Sequence, residues 1–257
     1  MPVVDINGLK VSYEAAGVGL PVVFIPGLVG TKEWFCRQLS GLSPKYRTVS
    51  YDPRTPGRGG DYSVELLAED LTRFLDAGRV PTAVICGHSF GGTVAQEFAR
   101  RYPDRTSALV LLSSFASLPS ASEEKILSLL TPREQAGAGL GWLRGLFRGR
   151  QVDPDSSECL ADLAARVGRA TVEARLRLAR LFDSTQGLGE IEAPTLVTVG
   201  SGENEQMLHA AQVLYEGIPD ASLEVIEGGD HFSFFFRHDL VNAAIDDFIS
   251  ARLASFS

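Results

Sequence analysis

The segment Thr82–Cys86 reads TAVIC, and it runs directly into Gly87-His88-Ser89-Phe90-Gly91. Thr82–Cys86 is apolar and rich in β-forming residues, as expected of a buried strand. After Gly91, apolar residues recur at the spacing of a helix. The second segment fits the pattern G-x-S-x-G, in which a sharp strand-to-helix turn strains the serine backbone and exposes its hydroxyl. We therefore predict that Ser89 is a nucleophile at the tip of this turn. The alternative is a glycine-rich turn without a chemical role.

The alternation of strands and helices continues on both sides of the motif. A short hairpin around Asn7-Gly8 is predicted before it. Apolar runs of strand length then alternate with segments whose apolar residues have the spacing of a helix. A chain that alternates in this way forms a mostly parallel sheet with helices on both faces. We therefore predict an α/β fold with an eight-stranded sheet. Its predicted strands are Val3–Ile6, Lys10–Glu14, Pro21–Ile25, Tyr46–Tyr51, Thr82–Cys86, Ala108–Leu112, Thr195–Val199 and Ser222–Ile226.

The alternation pauses between about Phe115 and Glu190, where the sequence has helical patterns and no clear strand. It returns after this stretch with the same order of elements. We therefore predict a single core formed by residues 1–114 and 191–257, with residues 115–190 inserted as a helical cap. A separate helical domain is the alternative.

A serine hydroxyl is a weak nucleophile and needs a neighbouring base. The chain has four histidines. His88 adjoins the serine and should be directed away by the backbone, while His209 and His238 are predicted on helices. His231 follows the strand Ser222–Ile226 in a turn, so it should lie at the same edge of the sheet as the motif. We predict His231 as the general base, and a structural loop histidine is the alternative.

The base in turn needs a carboxylate that orients its ring. The loop after Thr195–Val199 contains Glu203 and Glu205, and it lies between the serine and the histidine in the chain. The order serine, acid, histidine is the one that this architecture uses. Both glutamates are candidates on this ground, and a solvated loop acid is the alternative for either.

With these motifs, nearly the whole chain resembles the α/β-hydrolases, in particular the cap-bearing esterases, lactonases and proline iminopeptidases. The resemblance implies Ser89 as the nucleophile and His231 as the base. The family's G-x-x-D corresponds to Gly200-Ser201-Gly202-Glu203, which implies Glu203 as the acid, with Glu205 as the fallback. Glutamate in place of aspartate is a departure, because its extra methylene requires a loop that lies further back.

The resemblance also implies an oxyanion hole made of two backbone N–H groups. One belongs to Phe90, which follows the serine. The other belongs to Leu28, because Pro26-Gly27-Leu28 stands where relatives usually have His-Gly-x. Proline leaves the backbone donor available but lacks the supporting side chain of that histidine. A plain turn is the alternative for this loop.

Three aromatic residues are candidates for lining a substrate pocket. Trp142 and Phe147 lie in an apolar stretch of the predicted cap, and Phe232 follows the predicted base. The buried face of a helix is an equally good interpretation for the two cap residues. Core packing is the corresponding alternative for Phe232.

Composition limits the expected partners and compartment. The 257 residues carry a formal net charge of −8, which argues against nucleic acid because polyanion binding needs a basic patch. The three cysteines are widely spaced without C-x-x-C, so we predict no metal and no cofactor. No signal peptide and no run of about 18 apolar residues is visible. We expect a cytoplasmic protein without membrane partners that acts on a small molecule, and the sequence does not indicate its oligomeric state.

The predicted reaction is hydrolysis of a carboxylic ester, thioester or lactone of a small apolar molecule through an acyl-enzyme on Ser89. The same three residues serve C–C bond hydrolysis, lyase and acyl-transfer reactions, so these are alternatives. A non-catalytic member of the family, which binds a small molecule in the same pocket, is an alternative of a different class.

Overall fold

The computed structural model describes residues 2–57, 61–118, 154–164 and 166–253. The strands of its sheet are Val3–Ile6 (β1), Leu9–Ala16 (β2), Pro21–Ile25 (β3), Arg47–Tyr51 (β4), Ala83–His88 (β5), Thr106–Leu112 (β6), Thr195–Gly200 (β7) and Ala221–Ile226 (β8). They lie side by side in the order β1-β2-β4-β3-β5-β6-β7-β8. The pairs β1–β2 and β2–β4 are antiparallel, and the remaining pairs are parallel. The predicted α/β fold with a mostly parallel eight-stranded sheet is confirmed.

The chain enters the sheet through a two-residue turn. Asn7 has a φ of 57° and Gly8 a φ of 87°, which is the left-handed backbone that a tight turn between antiparallel strands requires. Ile6 pairs with Leu9 across this turn, and the N–H of Gly8 donates to Oδ1 of Asp5 at 2.7 Å. The predicted hairpin at Asn7-Gly8 is confirmed.

Helices cover both faces of the sheet. The described α-helices are Cys36–Leu42 (α1), Val64–Ala77 (α2), Phe90–Arg101 (α3), Pro154–Ala164 (α4), Arg169–Leu181 (α5), Glu205–Gly217 (α6), Ser233–Phe236 (α7) and His238–Leu253 (α8), with 3₁₀ turns at Lys32–Phe35, Pro103–Arg105 and Thr185–Glu190. Alternate side chains of a strand point to opposite faces. Val23 and Ile25 therefore join one apolar cluster with α2, α3 and α6, and Val22 and Phe24 join another with α1 and α8. None of these described helices combines the length and the apolar character that crossing a bilayer needs.

Helices α4 and α5 lie between β6 and β7, where the sequence predicts an inserted cap. Leu160 and Leu163 of α4 belong to the apolar cluster on the α1 and α8 side. Leu176 and Ala179 of α5 belong to the cluster on the opposite side. Both helices are therefore anchored in the packing of the sheet. The division of the chain into a core and a cap stays a prediction.

Candidate active site

Ser89 lies at the point where β5 turns sharply into α3. Its backbone has φ 51° and ψ −120°, and a positive φ is strained in a residue that carries a side chain. The N–H of Ser89 donates to the carbonyl of Leu112 at 2.9 Å, and its carbonyl accepts from the hydroxyl of Ser114 at 3.0 Å. A Cβ atom at Gly91 would come within 2.1 Å of the carbonyl oxygen of Ile25. The motif therefore needs glycine there because two backbone segments approach each other closely.

The structure brings Ser89, His231 and Glu203 together from three separate loops. Nε2 of His231 lies 3.1 Å from Oγ of Ser89. Nδ1 of the same ring lies 3.0 Å from Oε1 of Glu203. The loops follow β5, β7 and β8, which are parallel strands, so their carboxyl ends meet at one edge of the sheet. Three residues that are far apart in the chain thus form one line of contacts.

The loop that carries Glu203 is tied directly to the loop that carries His231. The N–H of Gly202 donates to the carbonyl of Gly229 at 2.8 Å. Only 6% of the Glu203 side chain is exposed, against 29% of the His231 side chain. Glu205 instead opens helix α6 in an exposed position. The carboxylate beside the imidazole of His231 is therefore that of Glu203 and not that of the fallback Glu205.

The other histidines occupy different surroundings. His88 is buried, and its Nε2 lies 2.8 Å from the backbone carbonyl oxygen of His231. Burial, together with the neighbouring His231, lowers the pKa of His88 well below its ordinary value. His209 is exposed on α6, and His238 begins α8. Within the described residues, no group of three or more His, Cys, Asp or Glu side chains is arranged to hold a metal ion.

The loop Pro26–Leu28, predicted to supply half of the oxyanion hole, runs beside the nucleophile. It follows β3, whose Ile25 pairs with Gly87 of β5. A Cβ built on Gly27 would lie 3.4 Å from Cβ of Ser89. The second predicted donor, Phe90, is the first residue of α3, where backbone N–H groups point out of the helix. The loop and the helix terminus therefore lie next to each other at the serine.

Arg175 of α5 contacts this loop, and no sequence argument singled it out. Its Nη1 donates to the carbonyls of Gly27 at 2.9 Å, Leu28 at 3.1 Å and Gly30 at 3.2 Å. A signal for it exists in the sequence, because Arg175 falls on the apolar stripe of its helix. The other members of that stripe, at helical spacing, are Val172, Leu176 and Ala179. A cation on a buried face needs specific partners, and the loop carbonyls provide them.

Aromatic rings pack beside the candidate base. Phe232 is buried and meets the ring of His231 edge-on, with centroids 5.4 Å apart and an interplanar angle of 87°. Trp34 packs against Phe232 at a centroid distance of 5.8 Å. The burial of Phe232 fits core packing, and its role in lining a pocket stays a prediction. The other two pocket candidates, Trp142 and Phe147, lie outside the described residues.

Comparisons with known proteins agree with this architecture. A family model for the alpha/beta hydrolase family matches residues 22–244. A related protein, the putative carbamate hydrolase RutD of Azorhizobium caulinodans, is 26% identical over 254 residues, which cover 94% of this chain and 96% of that protein. The enol-lactonase from Burkholderia xenovorans LB400 superposes with a TM-score of 0.81 at 20% identity over 97% of this chain and 100% of that chain. A thermophilic esterase from Thermogutta terrifontis superposes with a TM-score of 0.80 at 24% identity, over 97% of this chain and 98% of that chain.

The match begins within β3 and ends within α8, so it includes the strands and loops that carry the site. It extends over far more than half of the chain. The predicted family and enzyme class are confirmed. The chain belongs to the alpha/beta hydrolase family.

Proposed function

We propose that the protein is a serine hydrolase that cleaves a carboxylic ester, thioester or lactone of a small molecule through an acyl-enzyme on Ser89. The observation that carries this proposal is the continuous line of contacts at the site. Oγ of Ser89 lies 3.1 Å from Nε2 of His231, and Nδ1 of His231 lies 3.0 Å from Oε1 of Glu203. Both distances allow hydrogen bonds, and such a relay converts a weak hydroxyl into a nucleophile.

Glu203 determines which nitrogen of His231 carries the proton. An ionised carboxylate only accepts hydrogen bonds, so the Nδ1–H of His231 donates to Glu203. The lone pair is then left on Nε2, which faces the hydroxyl of Ser89. His231 can therefore take the serine proton as Oγ attacks the carbonyl carbon of the substrate.

The attack converts the carbonyl oxygen into an oxyanion, which the N–H groups of Phe90 and Leu28 stabilise. Phe90 stands at the N-terminus of α3, where the helix dipole favours negative charge. Collapse of the intermediate breaks the bond to the leaving group, which receives its proton from His231. Water that His231 activates then releases the acid and restores the serine.

The substrate class is supported by the names of related proteins and by the surroundings of the base. A carbamate hydrolase, an enol-lactonase and an esterase are among the similar proteins, and all three named substrates contain a carbonyl carbon bonded to a heteroatom. The ring of Phe232, which meets the His231 ring edge-on, supports an apolar group next to that carbonyl. Esters and lactones of small apolar molecules are therefore the first substrates to test.

A panel of p-nitrophenyl esters, thioesters and lactones tests the proposal. We expect the wild type to hydrolyse at least one class and Ser89→Ala to lose that activity. Ser40→Ala removes an exposed hydroxyl on α1 and should leave the rate unchanged. A fluorophosphonate probe should label the peptide that contains Ser89. A wild type that hydrolyses no member of the panel and stays unlabelled contradicts the proposal and favours a non-catalytic binding protein.

Intact-mass measurement after brief exposure to a substrate separates the remaining chemistries. Hydrolysis through an acyl-enzyme adds the mass of the acyl group to Ser89, and the added mass should then decay in water. Transfer to an added alcohol or amine at the expense of hydrolysis would identify an acyltransferase instead. A lyase reaction leaves no acyl group on the serine.

A further inference from the structure

Arg175 joins helix α5 to the loop that carries Leu28. Only 3% of this arginine is exposed. A single nitrogen, Nη1, donates to the carbonyls of Gly27, Leu28 and Gly30. Three carbonyl dipoles of one short loop are therefore directed toward one guanidinium group. A loop without regular secondary structure is held in one conformation by this arrangement.

The bond to Gly27 acts on a specific peptide unit. The carbonyl of Gly27 and the N–H of Leu28 belong to the same planar amide, in which the two groups point in opposite directions. A cation that binds the carbonyl oxygen at 2.9 Å therefore fixes the direction of the Leu28 N–H. It also polarises the amide, which makes that N–H a stronger hydrogen-bond donor.

The charge of Arg175 has no carboxylate counter-ion among the described residues. Its hydrogen bonds there go to backbone carbonyls and to the hydroxyl oxygen of Tyr62, all of them neutral groups. Asp70, which lies in the same region because both groups act on Tyr51, is paired with Arg54 and Arg73. Buried charges are normally paired. An oxyanion at the opposite end of the Gly27–Leu28 peptide would supply the missing negative charge.

We propose that Arg175 is a positioning residue of the oxyanion hole, which orients and polarises the Leu28 N–H through the carbonyl of Gly27. Arg175 acts through the peptide and does not touch the substrate. Its charge is balanced in the transition state, when the oxyanion forms, and is unbalanced with neutral substrate bound. This inference rests on the proposed function, because it assigns a role at the same site.

Three variants separate this role from a structural one. Arg175→Met removes the charge and the donors but keeps much of the apolar length, and Arg175→Lys keeps the charge on a smaller donor group. Arg177→Met makes the same change at an exposed position of the same helix. For each variant, kcat and KM are measured with the best ester of the panel. The affinity for phenylboronic acid is measured in parallel, because this inhibitor forms an anionic tetrahedral adduct with a nucleophilic serine.

We expect Arg175→Met to lower kcat about 10- to 100-fold, part of the loss that removing a whole oxyanion donor causes, with little change in KM. The affinity for phenylboronic acid should fall by a similar factor. Arg175→Lys should recover part of both losses, and Arg177→Met should match the wild type. Circular dichroism and thermal melting verify that the variants are folded. Should Arg175→Met fail to fold, Arg175→Lys is compared with the wild type in the same measurements.

Three results would overturn the inference. The first is a folded Arg175→Met with the kcat of Arg177→Met, and the second is a loss confined to KM. The third is a fall in kcat with unchanged affinity for phenylboronic acid, as a merely structural role would produce. A wild type that is inactive and unlabelled refutes the proposed function itself, so the two failures are distinguishable.

Discussion

Nε2 of His88 lies 2.8 Å from the backbone carbonyl oxygen of His231. A carbonyl only accepts hydrogen bonds, so the proton of this contact is on Nε2 of His88. Burial and the neighbouring His231 lower the pKa of His88, which keeps its ring neutral at neutral pH. The residue before the serine thus holds the loop of the candidate base in place.

The neutral state of His88 predicts how stability depends on pH. Its pKa is lower in the folded chain than in the unfolded chain, so the unfolded chain binds more protons below about pH 6.5. The free energy of unfolding should therefore fall as the pH drops through this value, by up to about 1.4 kcal/mol per pH unit from this residue. Urea denaturation at a series of pH values measures the slope.

His88→Gln tests the origin of this slope, because the amide retains a donor for the His231 carbonyl and does not titrate. The slope below about pH 6.5 should be reduced in this variant. His209→Gln, at an exposed position, should retain the slope of the wild type. Equal slopes in His88→Gln and the wild type would show that other groups cause the dependence.

Glu203→Gln should lower kcat by about 10²- to 10⁴-fold, because an amide can donate to Nδ1 of His231 and favour the wrong tautomer. Glu205→Gln is the matched control, since Glu205 is exposed at the start of α6. Its kcat should stay close to that of the wild type. Steady-state kinetics with the best ester of the panel measures both. Equal, small losses in the two variants would reject Glu203 as the acid.

Gly91→Ala should disturb both stability and activity. The added Cβ would lie 2.1 Å from the carbonyl oxygen of Ile25 and 2.8 Å from that of Pro26. Overpacking of this kind typically costs about 1–3 kcal/mol, and relief requires movement of the backbone that leads into Leu28. Gly57→Ala is the control, because nothing lies within 4 Å of its added Cβ. Thermal melting and kcat should both separate the two variants, and indistinguishable melting would contradict the steric explanation.

Asp52→Asn should lower stability without affecting kcat. Oδ1 of Asp52 accepts from the N–H of Lys32 at 2.8 Å, and Oδ2 accepts from Ser12 Oγ at 2.7 Å and from Lys32 Nζ at 3.0 Å. Weakening these bonds around a buried ammonium group should cost about 1–3 kcal/mol. Asp61→Asn, at an exposed position, should cost little. A large loss of kcat in folded Asp52→Asn would instead assign this carboxylate to the reaction.

Local patterns in the sequence were sufficient for the sheet and for the turn at Ser89. A short apolar run such as Pro21–Ile25 predicts a strand buried on both faces, and the pair Asn7-Gly8 predicts a tight turn with left-handed backbone. Both signals depend on residues that are neighbours in the chain. The choice between Glu203 and Glu205 was harder, because the two are in one loop. It depended on where α6 begins and on the hydrogen bond from Gly202 to Gly229.

What the sequence by itself determined was therefore the fold class, the strained serine turn and the chain order of the three candidate residues. The tertiary structure decided which atoms meet. Arg175 is 148 residues from Gly27 in the chain, and the sequence reveals it only as a cation on an apolar helix face. Its partners in that loop are backbone carbonyls, which every residue has and no motif encodes. Contacts of this kind arise only when a helix packs on a loop, so only the folded chain identifies them.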